Sequence, residues 1–309
     1  MRVFRFSAVL ALVVVIAPLL RPQDLPDPDV RGAVVRLEVE EQVIAGSSAS
    51  SQGEAERREV FALHRDSGRL LEHERFRGDD VLISRSIFHY NDEGRLVQVQ
   101  SFDSSDRPQW SREYRYTDSG KLEREISFGP TGLIEQVTAH QYAQGELEQV
   151  TRYRFGTEVV WRRVYRRDGA HALAWDLVGA EGERIRQVRQ SFDSRGRLVM
   201  QQSFDQMGAI WEEVRHRYDA DRHVMHRYGP GEQLLAREVT YFDAQGNPVR
   251  HEVRRGGEET VSVVVTSEYR YDLHANWVYR QTVHTGGDGS VTRRIVARRA
   301  IEYADGGFR

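Results

Sequence analysis

The sequence of 309 residues contains no cysteine. Disulfide bonds, thiolate metal sites and cysteine nucleophiles are therefore excluded, and packing must supply the stability. Lysine is almost absent too, since Lys121 is the single one among 44 basic residues. The formal net charge is −3, so the chain lacks the basic excess typical of nucleic-acid binders. Composition thus disfavours a nucleic-acid partner.

Signatures of catalysis are also missing. The sequence has no G-x-S-x-G motif and no glycine-rich phosphate loop leading into a helix. His223 and His226 form an H-x-x-H pair. On a strand these two side chains point to opposite faces, whereas a zinc site needs three or four converging ligands. We therefore predict a non-enzymatic protein without cofactor or metal.

The N-terminus has the pattern of an export signal. Arg2 and Arg5 precede an apolar run at residues 6–20, and Arg21 ends it. This run is shorter than the ~20 residues of a membrane-spanning helix. We predict a signal peptide or N-terminal anchor at residues 1–21 and a Pro/Asp linker at 22–32. The protein would be exported to the periplasm, the cell surface or the medium, with membrane contact only through an uncleaved N-terminal segment.

One short motif recurs along the rest of the chain. An aromatic residue is followed by glycine four positions later and by leucine or isoleucine six positions later. Copies begin at Tyr90 (YNDEGRL), Tyr116 (YTDSGKL), Phe192 (FDSRGRL) and Phe204 (FDQMGAI), with looser copies at Tyr218, Tyr228, Phe242 and Tyr271. Polar and apolar residues alternate between these motifs, which indicates strands joined by tight turns. The unit is 12–14 residues long.

These repeats predict an all-β protein. Short connections favour a long antiparallel meander, an open curved sheet of about twenty strands after the signal helix. Aspartate after the aromatic would bond its own backbone two residues on, and same-face aromatics would stack into a ladder. We predict one β-repeat domain at residues 33–303 and a C-terminal tail at 304–309. Residues 45–56 read as a polar loop, and 168–183 as the most irregular stretch.

The units resemble the YD repeats of the Rhs-like family of exported bacterial proteins. Tyr218-Asp219 and Tyr271-Asp272 carry the literal dipeptide, and Phe192-Asp193 carries an aromatic variant. The segment YRYDLHANWVYRQTV resembles a common ending of such proteins, with Ala275 in place of glycine. The resemblance covers about residues 60–303. It implies the repeat fold and a loose association with cell-surface or carbohydrate contact.

Arginine pairs and tryptophans are the candidate binding residues. An anionic ligand or glycan on one sheet face would use Arg162, Arg163, Arg166, Arg167, Trp161, Trp175, Trp211 and Trp277. The competing interpretation assigns the arginines to cross-strand ion pairs and the tryptophans to core packing. The sequence leaves both open.

Three functions fit the sequence. The first is a non-enzymatic scaffold that presents a surface to an unidentified protein or a cell-envelope glycan. The second is a carbohydrate- or anionic-ligand-binding module. The third, an outer-membrane barrel, needs a continuous apolar face, which Leu122-Glu123-Arg124-Glu125 interrupts on both sides of its strand.

Overall fold

The computed structural model describes residues 30–45, 54–78, 80–167, 172–256, 258 and 260–304. The predicted signal segment 1–21, most of the linker, positions 46–53 of the polar loop and 168–171 of the irregular stretch lie outside these residues. Residues 172–179 of that stretch form a regular strand. In the part of the chain that the structure describes, no helix has the length and apolar character needed to cross a membrane.

Twenty strands and one 3-10 turn at Pro230–Glu232 make up the described fold. The strands are β1 (Val34–Ala45), β2 (Glu54–Leu63), β3 (Leu70–Arg77), β4 (Val81–Tyr90), β5 (Leu96–Asp103), β6 (Pro108–Tyr116), β7 (Leu122–Phe128), β8 (Ile134–Ala143), β9 (Glu146–Arg154), β10 (Glu158–Arg167), β11 (Ala172–Gly179), β12 (Arg184–Phe192), β13 (Leu198–Phe204), β14 (Ile210–Tyr218), β15 (Arg222–Tyr228), β16 (Leu234–Phe242), β17 (Pro248–Arg255), β18 (Val263–Tyr271), β19 (Trp277–Gly286) and β20 (Val291–Tyr303). The all-β prediction is confirmed.

The sheet closes on itself. Each strand pairs antiparallel with the next, and β20 pairs antiparallel with β1, from Val34 opposite Tyr303 to Ala45 opposite Arg293. The fold is therefore a closed up-and-down barrel, and the predicted open curved sheet is wrong. The YD-repeat, Rhs-like assignment is wrong as well, because a closed barrel of this kind is not a YD-repeat shell. Sequence periodicity specifies strands and hairpins, whereas closure depends on stagger accumulated over all twenty strands.

The aspartates of the motif build the turns. Oδ1 of Asp193 accepts hydrogen bonds from the backbone N–H groups of Arg195 and Arg197, both at 2.9 Å. Gly196 has a φ of +75°, a conformation that glycine adopts at little cost. The same pair of bonds recurs at Asp103, Asp205, Asp243 and Asp272. The predicted turn role of these carboxylates is confirmed.

Hydrogen bonds from tyrosine hydroxyls connect neighbouring turns. The hydroxyl of Tyr116 donates to the carbonyl of Leu96 at 2.6 Å, and the Arg95 guanidinium lies 5.4 Å from the Tyr116 ring centroid. Tyr90, Tyr142 and Tyr218 donate in the same way to Leu70, Leu122 and Leu198. The predicted ladder of stacked aromatics is thus replaced here by tyrosines that stack on cations and bond to the backbone.

The seam between β20 and β1 contains two of the largest fully buried side chains of the described barrel. Leu37 is 0% exposed and its register partner Ile301 is 1% exposed. Beside them, the Asn276 side chain accepts from the backbone N–H of Arg31 at 2.6 Å and donates to the Arg31 carbonyl at 2.7 Å. These contacts hold the start of the described chain against the β18–β19 turn and stabilise closure.

Replacing Ile301 by alanine should destabilise the barrel by about 2–5 kcal/mol, because a cavity would open at the seam. Urea denaturation followed by circular dichroism measures this change. Val81→Ala is the control, since Val81 lies exposed at the start of β4 and its truncation should cost less than ~0.5 kcal/mol. Equal losses for the two variants would show that the seam is not a packed core.

Replacing Asp193 tests the turn. Hydrogen bonds from the backbone N–H of Arg197, assisted by its side chain, hold the pKa of Asp193 below its usual value. The stabilisation is therefore present above the unfolded pKa of ~4 and lost as pH falls through the lower folded pKa. At pH 7, Asp193→Ala should lower the melting temperature more than Asp193→Asn, which keeps the acceptor oxygen. A deficit of Asp193→Asn that persisted at pH 2 would contradict this account.

Candidate ligand-binding site

Alternation along each strand gives the barrel wall two faces. The pairing register places Leu37, Phe61, His73, Ser86 and Ser101 side by side on β1 to β5. On this face, side chains from five adjacent strands, β2 to β6, surround one cavity of about 390 Å³. The cluster of buried apolar side chains, which includes Leu37, Phe61, Phe88 and Ile301, lies on this same face. Because the described strands form a single sheet with no second layer over it, such packing belongs to the concave side of the wall, which in a barrel is the lumen. We call it the inner face and its opposite the outer face.

The five tryptophans of the sequence all lie on the inner face. Trp110 pairs with Ser101, and the register continues to Trp161 and Trp175. Trp211 and Trp277 contact inner-face arginines. Each indole has a guanidinium near its ring: Arg112 at 5.7 Å from Trp110, Arg163 at 5.7 Å from Trp161 and 4.5 Å from Trp175, Arg186 at 5.1 Å from Trp211, and Arg299 at 3.7 Å from Trp277.

Arg163 occupies the centre of the candidate site. It lies on β10 between the indoles of Trp161, on the same strand, and Trp175, on β11. Its Nη1 donates to the Tyr165 hydroxyl at 3.4 Å, and its Nε is buried without a partner. Within the described ranges no carboxylate pairs with this guanidinium. Arg163 is therefore a cation that aromatic rings position and that has no anionic partner among the described residues.

The wall next to Arg163 also carries an arginine stacked on a tryptophan. On β12, Arg186 donates from Nη2 to the Ser203 hydroxyl at 2.8 Å and stacks on Trp211. Trp211 keeps 41% of its surface exposed, so a ligand can reach its ring. Strands β10 to β14 thus present three tryptophans to the lumen, together with two arginines, Arg163 and Arg186, that have no acidic partner among the described residues. Such a surface suits a ligand with negative charge and flat apolar faces.

Four of the eight predicted site residues do not join this wall. Arg162 and Arg166 lie on the outer face, where Arg166 pairs with Asp176. Arg167 pairs with Glu146 at 2.6 Å. Trp277 is only 9% exposed and packs near the seam. Successive strand residues point to opposite faces, so an Arg-Arg pair cannot present both guanidinium groups to one ligand.

Histidines form a second inner-face cluster. His216 Nδ1 lies 3.0 Å from His223 Nε2, and the Tyr218 ring stacks on His223 with centroids 4.6 Å apart. His226 lies on the outer face opposite Arg215, so the predicted split of the H-x-x-H pair is confirmed. In the described chain no three metal-type side chains come together. In the sequence, His216 and Tyr218 are two positions apart, as on one face of a strand. Nothing in that spacing indicates His223 as their partner.

The outer face carries charged side chains at mid-strand, beside apolar ones such as Val224 and Val239. Arg58 pairs there with Glu38 at 3.0 Å, and Arg85 with Asp106 at 2.8 Å. Arg215, His226, Arg237 and Arg254 lie in register across four strands. A lipid-facing barrel needs a continuous apolar band, and an arginine at the bilayer midplane costs about 2–4 kcal/mol.

Comparison with known proteins finds distant likenesses to solved structures. No protein-family model and no curated protein matches the sequence. A porin-like protein from Bacteroides uniformis is 8% identical over 88% of this chain and 98% of that chain, with a TM-score of 0.40. One from Bacteroides vulgatus is 12% identical over 72% and 94%, with a TM-score of 0.31. A TcdB2–TccC3–Cdc42 complex is 8% identical over 80% and 20%, with a TM-score of 0.19.

These likenesses are too distant to carry an argument about function. No match by family model or curated sequence supports the YD-repeat prediction, which the closed barrel already overturns. The functional argument therefore depends on the side chains of the two faces.

Acid should destabilise the barrel through His216. Burial, with the neighbouring His223, lowers the pKa of His216 to about 4. The unfolded chain takes up this proton near pH 6.5 and the folded chain does not, so stability is complete above 6.5 and falls between 6.5 and 4. Melting temperatures measured from pH 7.5 to 4.5 should drop less for His216→Gln than for the unsubstituted chain. Parallel pH profiles would contradict this prediction. The exposed His64 provides the control substitution, His64→Gln.

Proposed function

We propose that this chain is an exported, non-enzymatic barrel that binds an anionic carbohydrate against its inner face. The environment of Arg163 is the observation that supports this proposal. Its guanidinium faces the lumen near the rings of Trp161 and Trp175, and it has no carboxylate partner among the described residues. Elsewhere on the inner face, Arg112 already has an acidic partner, since its Nε lies 3.3 Å from Glu125. An anion from outside the chain would complete the contacts of Arg163.

A carbohydrate suits this wall better than a simple inorganic anion. Sugar rings present flat C–H faces that pack on indoles, and Trp161, Trp175 and Trp211 line the same inner wall as the cations. Guanidinium groups bind carboxylates through paired N–H donors. The charged side chains of the outer face support an aqueous compartment, which in an exported protein is the periplasm, the cell surface or the medium.

Calorimetric titration of the full chain with polygalacturonate tests the proposal, with dextran as the neutral comparison. Arg163→Gln should weaken polygalacturonate binding by about 10- to 100-fold, because a charge-assisted pair is lost. Arg162→Gln is the matched control, since Arg162 lies next in the chain but on the outer face.

Equal affinity of the Arg163→Gln variant and the unsubstituted chain would overturn the proposal. Equal binding of dextran and polygalacturonate would also overturn it, because the arginine would then have no role. Absence of binding to either polymer would favour the scaffold hypothesis and direct attention to a protein partner.

A further inference from the structure

We infer that the cavity between β2 and β6 is a pocket for one hydroxylated ring that carries a carboxylate, as in a sugar acid. The inference rests on the proposed function only for the class of ligand. The pocket itself lies on strands separate from those that carry the Arg163 site. The cavity measures about 390 Å³, within the ~300–1,000 Å³ typical of ligand sites. Its lining combines an arginine without an acidic partner among the described residues, three serine hydroxyls and an aromatic side chain. Each of these would contact a different part of such a ring.

Arg75 on β3 supplies the free positive charge. It is an exposed inner-face residue that lines the cavity, and no acidic side chain of the described chain pairs with it. The one carboxylate of the lining, Glu59, is already neutralised by Arg57 and lies 3.4 Å from His73 Nε2. His73 is itself held by stacking on Phe61, with centroids 4.5 Å apart. Glu59 therefore leaves Arg75 available for a ligand carboxylate.

Three serines supply hydroxyls on two adjacent strands. Ser84 and Ser86 lie on β4 and Ser101 on β5, with Ser86 directly opposite Ser101. Ser84 and Ser101 are buried, apart from the cavity that they line. No hydrogen bond joins these three hydroxyls to any other described group. Buried hydroxyls in proteins normally have partners, so the cavity places them where a ligand's hydroxyl groups can pair with them.

Apolar surface completes the pocket. Trp110 on β6 lines it and keeps 39% of its surface exposed, while Phe88 and Val99 are buried beneath it. An aromatic wall beside hydroxyls and a cation matches a pyranose ring, which has an apolar face and a polar rim. A bare carboxylate would leave the serines and Trp110 unused. A neutral sugar would leave Arg75 unpaired.

Titration of the full chain with glucuronate, glucose and acetate tests this pocket, followed by Trp110 chemical shifts in NMR spectra. Glucuronate should bind saturably, and glucose and acetate at least 10-fold more weakly. Arg75→Gln should weaken glucuronate binding about 10-fold or more, and Ser101→Ala several-fold. Arg85→Gln, on the outer face of β4, is the matched control and should bind as the unsubstituted chain does. Circular dichroism and melting temperature establish that each variant folds.

The outcomes separate this pocket from the Arg163 wall. Arg163→Gln should leave the glucuronate-induced shift of the Trp110 signal unchanged, whatever it does to polygalacturonate. Loss of this Trp110 response in Arg75→Gln but not in Arg163→Gln supports the pocket even if polygalacturonate fails to bind. Unchanged affinity in the folded Arg75→Gln variant, or equal binding of glucose and glucuronate, overturns the inference. Binding of acetate as tight as that of glucuronate also overturns it, because the ring would then contribute nothing.

Discussion

The antiparallel pairing of β20 with β1 is the contact on which the rest of the structure depends. It removes both free edges of a twenty-stranded sheet, whose unpaired N–H and C=O groups would otherwise recruit other chains. It also gives the sheet an inside. Without closure, Arg75 and Arg163 would lie on one side of an open ribbon. With closure, both face a shared lumen that a ligand must enter.

Strand alternation then divides each arginine pair between two environments. Arg163 faces the lumen between two indoles, while Arg162 and Arg166 face outward, where acidic side chains are frequent. The same division applies to His223 and His226. Exposed ion pairs on the outer face contribute little to stability each. The proposed ligand would supply an anionic partner to Arg75 and Arg163, which have none among the described residues.

The fold was largely predictable in its local parts. Tight turns followed from the Asp and Gly of each motif, because their preferred backbone conformations and side-chain bonds are local properties. The candidate site was predictable only in part. Trp161, Arg163 and Trp175 were identified by residue type, since arginine pairs and tryptophans are the side chains that bind anionic ligands and sugar rings. The pocket around Arg75 was missed, since its lining comes from five strands between residues 57 and 110 and no short motif marks it.

By itself the sequence determined the number of strands, their turns and the alternation of their side chains, because these depend on contacts within about a dozen residues. Closure and the identity of the inner face were decided only by the tertiary structure. Both depend on small twists and register shifts that accumulate over twenty strands until β20 meets β1. The sequence of a single repeat does not show the total twist and register shift of all twenty strands. Identical local patterns are therefore compatible with an open ribbon or a closed barrel.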